Sequence, residues 1–307
     1  MNKMLKRGFI GCLIASLLVV GSALPTGTAS AASSAIKISI NGIYANMDVA
    51  PYITKGTTMV PLQVAQQIPG SSVQWNNASK TVTLTRNGET ITLVAGQKTA
   101  KVGNKEVKLE AASTLKQGRV MVPLRFIAES TGAYVLWNPK QRIVFVAKSS
   151  EEEELKEQFA SSSLAEARSA ALKFPMVSSL KALDITPSEV GGNQGYYFPE
   201  GKADQFFLTG GNSISYYEVV GNHSEKKWTA TFDSVKASSG LFFLPLKITN
   251  QDGELPKITS RVVFFEFMGH VGEAKYGFVE PNGEVKTLGT KEMNLNQFFD
   301  IPEEKTS

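Results

Sequence analysis

Glu266, set among aromatics in Phe264-Phe-Glu-Phe267, and two histidines, His223 and His270, are the side chains that come nearest to acid–base chemistry in this chain. A buried Glu266 would suit a glycosidase acid, but that chemistry uses a pair of carboxylates, and an alternating strand can equally turn Glu266 to solvent. His270 lies in Met268-Gly-His-Val-Gly272, which reads as a turn between strands rather than the seat of a base. The sequence contains no Gly-x-Ser-x-Gly elbow, no His-Glu-x-x-His pair, no phosphate-binding glycine loop and no Asp-x-Asp-x-Asp-Gly calcium loop. Four adjacent glutamates, Glu151 to Glu154, point in different directions around a helix and so read as a solvated helix start rather than a cation site. The expectation is a non-enzymatic protein with no cofactor, no catalytic residue and no metal ligand.

Basic side chains are the better candidates for recognition. Residues 32–150 hold 14 Lys or Arg against five acids, whereas residues 151–307 hold 15 against 23. Such asymmetry suits an anionic partner for the basic half, or attraction between the halves. Lys98, Lys101, Lys105, Lys108, Arg119 and Arg142 are the candidate contacts to an anionic polymer. Residues 1–31 point to the compartment. Lys3, Lys6 and Arg7 precede an apolar run from Phe9 to Leu24 and a small-residue exit at Ala29-Ser30-Ala31, the pattern of a secretory signal cleaved near Ala31. The run is shorter than the ~20 residues that cross a bilayer, so no membrane span is expected after cleavage. Cys12, the sole cysteine, sits near the start of that run and does not suit lipid attachment; cleavage leaves no thiol for a disulfide, a thiolate metal site or a nucleophile. The partner expected is therefore a cell-wall polymer or another envelope protein, not nucleic acid. A secreted or cell-wall location follows, with a stalk, spacer or attachment role.

The elements that must carry these residues are written twice. Gly56-Thr-Thr-Met-Val-Pro-Leu returns as Gly118-Arg-Val-Met-Val-Pro-Leu, and the register continues: Pro61, Leu62, Gly70 and Trp75 recur as Pro123, Leu124, Gly132 and Trp137. Repetition at fixed spacing predicts neighbours that bury their apolar faces against one another. Each unit, about 36–95 and 98–147, reads as a twisted antiparallel sheet around one short helix. Asn41-Gly42 and Gly103-Asn104 mark hairpins, Asn87-Gly88 marks a further turn, Pro61 and Pro123 suit the first helical position, and Gly132 suits the C′ position where φ is positive. Pro69 predicts a shortened first helix. The tryptophans could stack on sugar rings, but their identical placement in both copies favours capping of the helix–sheet core. Arg125 and Glu129 form an i, i+4 helix pair that Gln63 does not repeat.

These motifs resemble the family named after the N-terminal domain of copper amine oxidases, also called stalk domains, over about residues 36–147. The resemblance implies a spacer or surface-interaction module, not an oxidase. Such an enzyme would need three histidine copper ligands and a tyrosine in a Thr-x-x-Asn-Tyr setting, and the sequence has two histidines and no Asn-Tyr dipeptide.

Beyond the repeats, Glu151 onward reads as two short helices or one bent one. Ser161-Ser-Ser163 interrupts them, Ser163 and Glu166 make a capping box, and Phe174-Pro175 ends this connector of residues 151–174. Residues 175–307 read as an acidic antiparallel meander, with turns expected at Gly210-Gly211, Gly221-Asn222, Asp252-Gly253 and Asn282-Gly283. Six aromatic doublets, among them Tyr196-Tyr197, Phe206-Phe207 and Phe264-Phe265, put large rings on both faces of that sheet. Either both faces are covered, one by the connector helices, or one is a carbohydrate- or ligand-binding surface; coverage is the expectation. The fold class is α+β, and a wall hydrolase based on acids of this half is the remaining alternative.

Overall fold

The computed structural model describes residues 35–86, 88–185, 193–233 and 241–305; the expected signal segment and the Asn87 half of one predicted turn lie outside them. From Ala35 onward the chain is one compact unit, rich in strand. In the basic part the elements run β1 (Lys37–Ile40), β2 (Ile43–Tyr44), β3 (Tyr52–Thr54), β4 (Thr57–Pro61), α1 (Leu62–Ala65), β5 (Ser72–Asn76), β6 (Thr81–Arg86), β7 (Glu89–Val94), β8 (Thr99–Val102), β9 (Lys105–Lys108), β10 (Thr114–Lys116), β11 (Arg119–Pro123), α2 (Leu124–Ser130), β12 (Tyr134–Asn138) and β13 (Ile143–Ala147). Two-residue turns with both residues at positive φ close the β1–β2, β3–β4 and β10–β11 hairpins: Asn41-Gly42, Lys55-Gly56 and Gln117-Gly118. That geometry matches the right-handed twist of the flanking strands.

The two copies meet through β4 and β11, which pair antiparallel with Val60 opposite Val122, Met59 opposite Pro123 and Pro61 opposite Met121. Val60 and Val122 occupy the same place in each copy, so a local two-fold axis passes between them and the contact is self-complementary. The repeats are interlocked rather than merely adjacent. The second copy's β8–β9 hairpin extends the β5–β6–β7 sheet of the first, while β1 of the first copy lies parallel to β13 of the second. One apolar core, including Ile38, Val60, Leu84, Val122, Leu124 and Ile127, spans both. Trp75 and Trp137 are half-buried against it.

The helices end as their residues dictate. Pro61 and Pro123 sit one residue earlier than expected, at the N-caps, with φ of −57° and −66°. Proline's fixed φ lets them finish a strand and start a helix in one step. After α2 the N–H of Gly132 bonds to Glu129 O and that of Ala133 to Ala128 O, both at 2.9 Å, with Gly132 at φ 82°. Crossed bonds of this kind define a Schellman C-cap. Near Pro69, α1 is only four residues long.

The connector forms α3 (Glu152–Phe159) and α4 (Leu164–Lys173), the latter capped by Ser163 Oγ accepting from Glu166 N–H. The acidic part follows as β14 (Met176–Ser178), β15 (Gln194–Pro199), β16 (Gln205–Gly210), β17 (Ser213–Val220), β18 (His223–Phe232), β19 (Ile248–Gly253), β20 (Val262–Met268), β21 (Glu273–Val279) and β22 (Val285–Glu292). They make one sheet in the order β14-β18-β17-β16-β15-β20-β21-β22, with β19 beside β18. Asp252-Gly253 does not form the predicted turn. It ends β19 against Trp228 and Thr229, where a Cβ on Gly253 would stand 2.1 Å from Lys227 O. Glycine is there for close backbone approach, a use that a turn-forming dipeptide does not reveal.

The aromatic doublets divide between the faces. Tyr196, Phe206, Tyr217 and Phe265 join a core closed by α4 residues Ala171 and Leu172 together with Phe298, Phe299 and Ile301. Their neighbours Tyr197, Phe207, Tyr216 and Phe264 join a second core closed by Leu241, Phe243 and Leu246. Both faces are therefore covered. Beneath α4, the buried Arg168 guanidinium is gripped by both Glu304 oxygens, at 2.8 and 2.5 Å.

Between the two parts, Asn138 is fully buried and donates to Ser178 O and Leu180 O at 2.9 and 2.7 Å, while Lys140 meets Asp252 at 2.7 Å. Tyr134 stacks on the buried His223 ring at 3.8 Å, and both reach Glu225. Burial pushes the His223 pKa down, against the hydrogen bond and charge of Glu225, and so favours the neutral ring. Glu152 takes Lys148, Lys156 and Asn222. Burial raises its pKa, but hydrogen bonds from Lys156, Asn222 and Lys148 outweigh that and hold it at about 2. A depressed carboxylate contributes stability above its unfolded pKa and loses it as pH falls through the folded value. Glu152→Gln should therefore remove a stability decline that the native chain shows between pH 4.5 and about 2, as read by denaturant unfolding over that range.

Candidate functional site

The β8–β9 hairpin carries the densest run of the predicted basic residues. Lys98 leads into β8, its carbonyl accepting from Leu109 N–H at 2.8 Å, and Lys101 stands opposite Glu106. Lys105 and Lys108 lie on β9, whose four residues are all exposed at the edge of its sheet. Lysines at such an edge also discourage strand addition, so exposure alone does not make them ligands. The remaining two predicted residues lie apart. Arg119 is tied to Asp48 at 2.5 Å, an exposed pair. Arg142, at φ 54° in the β12–β13 turn, is half-buried and engages groups of its own.

Lys98 and Lys108 come together with a residue that sequence reasoning missed, Lys55 of the β3–β4 turn. Contact with the Lys55 ammonium, then its charge, desolvation and the charge of Lys108, lower the Lys98 pKa. No ion pair is formed by these three lysines among the described residues. Like charges held together without a counterion favour any arriving anion. Turn geometry, rather than a charge motif, puts Lys55 there, and only its place beside Gly56 in the hairpin pattern hinted at it.

Lys55 and Lys108 border a groove of about 450 Å³ between the β3–β4 hairpin of the first copy and α2 of the second. Its walls include Ile53, Thr57, Glu110, Arg125, Phe126, Glu129, Val135 and Trp137, so an apolar and aromatic floor meets a charged rim. The volume lies in the range of small-molecule sites, ~300–1,000 Å³. Arg125 and Glu129 approach only to 3.9 Å, and both are exposed.

The acid–base candidates of the other half do not assemble in this way. Glu266 borders a surface hollow of about 430 Å³, with its side chain 45% exposed and Lys275 Nζ at 3.6 Å. Among the described residues lining that hollow it is the one carboxylate, so the paired-acid geometry of a glycosidase is not formed. Tyr197 OH lies 3.5 Å from Glu266, and burial, followed by the charge of Glu266, pushes the phenol pKa up. His270 is exposed in the β20–β21 turn, and His223 serves the junction between the two parts. The motif residues Pro61, Leu62, Gly70, Pro123, Leu124 and Gly132 shape turns, helix ends and core.

Residues 39–146 match the family model of the copper amine oxidase N-terminal domain. The match does not extend into the acidic part. In copper amine oxidases that domain is non-catalytic. No curated protein matches the chain.

If Lys55 depresses Lys98, then Lys55→Gln, which installs the residue found at the equivalent turn position 117, should raise the Lys98 pKa toward the ordinary lysine value. NMR titration of the Lys98 side chain would show this as an upward shift of its midpoint.

Proposed function

We propose that the protein is exported and acts, without catalysis, as a cell-envelope stalk or attachment module whose basic part holds an anionic wall polymer. The observation that carries this reading is the placement of Lys55 and Lys108 on the rim of an aromatic-floored groove, with Lys98 beside Lys108 on the same hairpin. The non-catalytic family of residues 39–146 and the N-terminal export pattern are consistent with it. Lys101 and Lys105 continue the charge along the same hairpin. A multivalent contact of exposed lysines is worth at most ~1 kcal/mol per pair and is screened by salt.

The aromatic-surface alternative loses its basis, because the rings that would bind a carbohydrate fill the two cores of the acidic part. A hydrolase centred on Glu266 would have to work beside a lysine instead of a second acid.

The full chain should be retained on purified wall sacculi carrying anionic polymer and released as ionic strength rises from about 0.05 to 0.5 M. Stripping the anionic polymer, or replacing Lys55, Lys98 and Lys108 together by Gln, should weaken retention at least ~10-fold. Retention indifferent to salt and to the lysines would refute the reading. Release of reducing ends from the wall would instead support the hydrolase.

A further inference from the structure

The local two-fold axis provides an internal control for the groove, because each of its residues has a counterpart in the other copy. Asn46, Asp48, Gln63, Val64, Gln67, Gln117 and Arg119 stand where Lys108, Glu110, Arg125, Phe126, Glu129, Lys55 and Thr57 stand in the groove. The first set is closed by its own bonds. Gln63 Nε2 and Gln67 Nε2 donate to Asn46 O at 3.3 and 3.1 Å, Asn46 N–H donates to Gln67 Oε1 at 3.2 Å, and Arg119 holds Asp48 at 2.5 Å. The second set has the loose Arg125–Glu129 approach as its one such link among the described residues. One copy is sealed; its twin is open, with three cations (Lys55, Lys108 and Arg125) where the sealed set has one (Arg119), a second acid in Glu129, and an added aromatic ring in Phe126.

From this divergence we infer that the open groove binds a single anionic saccharide unit, with its charged group on the Lys55–Lys108 side and its ring against Phe126 and Trp137. This deepens the wall-attachment reading and rests on it for the source of the ligand. Each part of the lining has a use in such a complex. Cations at one end neutralise a phosphate or carboxylate. The aromatic floor covers the apolar face of a pyranose, and half-buried aromatics supply such area at low entropic cost. Glu110 and Glu129 accept hydrogen bonds from sugar hydroxyls, and their charge keeps the anionic group at the lysine end. A bare polyanion would gain from the lysines but be repelled by the two acids; an uncharged sugar would forgo the lysines. An anionic sugar satisfies both sets.

The first copy also supplies substitutions that the fold already accommodates. Lys108→Asn and Phe126→Val each install the residue of the sealed twin. Titration of the full chain with N-acetylglucosamine 1-phosphate and with glucuronic acid, followed through the Trp137 indole N–H by NMR, separates a phosphate-bearing source from a carboxylate-bearing one. Saturable binding of at least one is expected, at least ~10-fold tighter than that of N-acetylglucosamine or of inorganic phosphate. Lys108→Asn should weaken the preferred probe at least ~5-fold, and Phe126→Val should bring its affinity down to that of inorganic phosphate. Equal binding of sugar phosphate and inorganic phosphate, or wild-type affinity in both variants, would overturn the inference. Salt-sensitive wall retention without saturable sugar binding would sink the groove alone and leave the attachment reading standing. Groove binding by a chain that wall material does not retain would do the reverse.

Discussion

The antiparallel pairing of Val60 with Val122 is the constraint on which the first half of the molecule depends. Because it joins a residue to its own counterpart, it sets a local two-fold axis and brings both Val-Pro-Leu segments to the centre of one core. Each proline then stops its strand and starts its helix at the same place in both copies. The outer hairpins have no choice but to cross over: β8–β9 completes the first copy's sheet, and β1 seals the second through a parallel ladder with β13. Neither copy could bury its apolar face alone, so the duplication is a requirement for stability as well as a record of origin. The symmetry is incomplete. β7 occupies one copy, while the chain after β13 turns into α3.

That departure joins the halves. Asn76 in the first copy is exposed and spends its Oδ1 on its own turn, accepting from Ala78 and Ser79 N–H. Its twin Asn138 is buried and uses its amide to satisfy two carbonyls of the chain leading into the acidic part. Two hydrogen bonds from the buried Asn138 amide to backbone carbonyls, together with the Tyr134–His223 stack, fix the junction more firmly than the opposite net charges do. The visible ion pair there, Lys140 with Asp252, is half-exposed on its lysine side and correspondingly weak. A buried amide and a ring stack hold the halves together.

Much of this was legible in the residues. The repeat was visible as a fixed offset, Gly132 as a C-cap and Ser163 as an N-cap, because in each case one residue type fits one backbone geometry. The doublets announced a sheet with two dry faces, since neighbours on a strand cannot share a side. The connector helix over one face was legible, and α4 supplies Ala171 and Leu172 there; the rest of the cover was not, because Leu241, Phe243 and Phe298 come from irregular segments without periodicity. Interlocking was hidden for a related reason, because an offset records likeness and not which strand pairs with which. Asp252-Gly253 misled because glycine serves turns and close approaches alike. Of the basic residues, Lys98 and Lys108 lay within a dense charge run, whereas Lys55 became part of their cluster only when the hairpin brought it there.

The groove shows how a duplicated scaffold can gain recognition without losing its fold. Met59, Val60 and Leu62 are identical to their counterparts Met121, Val122 and Leu124 and all are buried, so change there would cost packing. Those around α1 and α2 lie at the surface, where Gln63 can become Arg125, and Asn46 Lys108, for the loss of a few exposed hydrogen bonds. Such bonds are worth about 1 kcal/mol each, a small sum against a shared core. One copy keeps them and stays sealed. In the other their absence leaves a concave, charged surface already braced by the strands and helix behind it, which is the preorganisation that binding a small anion requires.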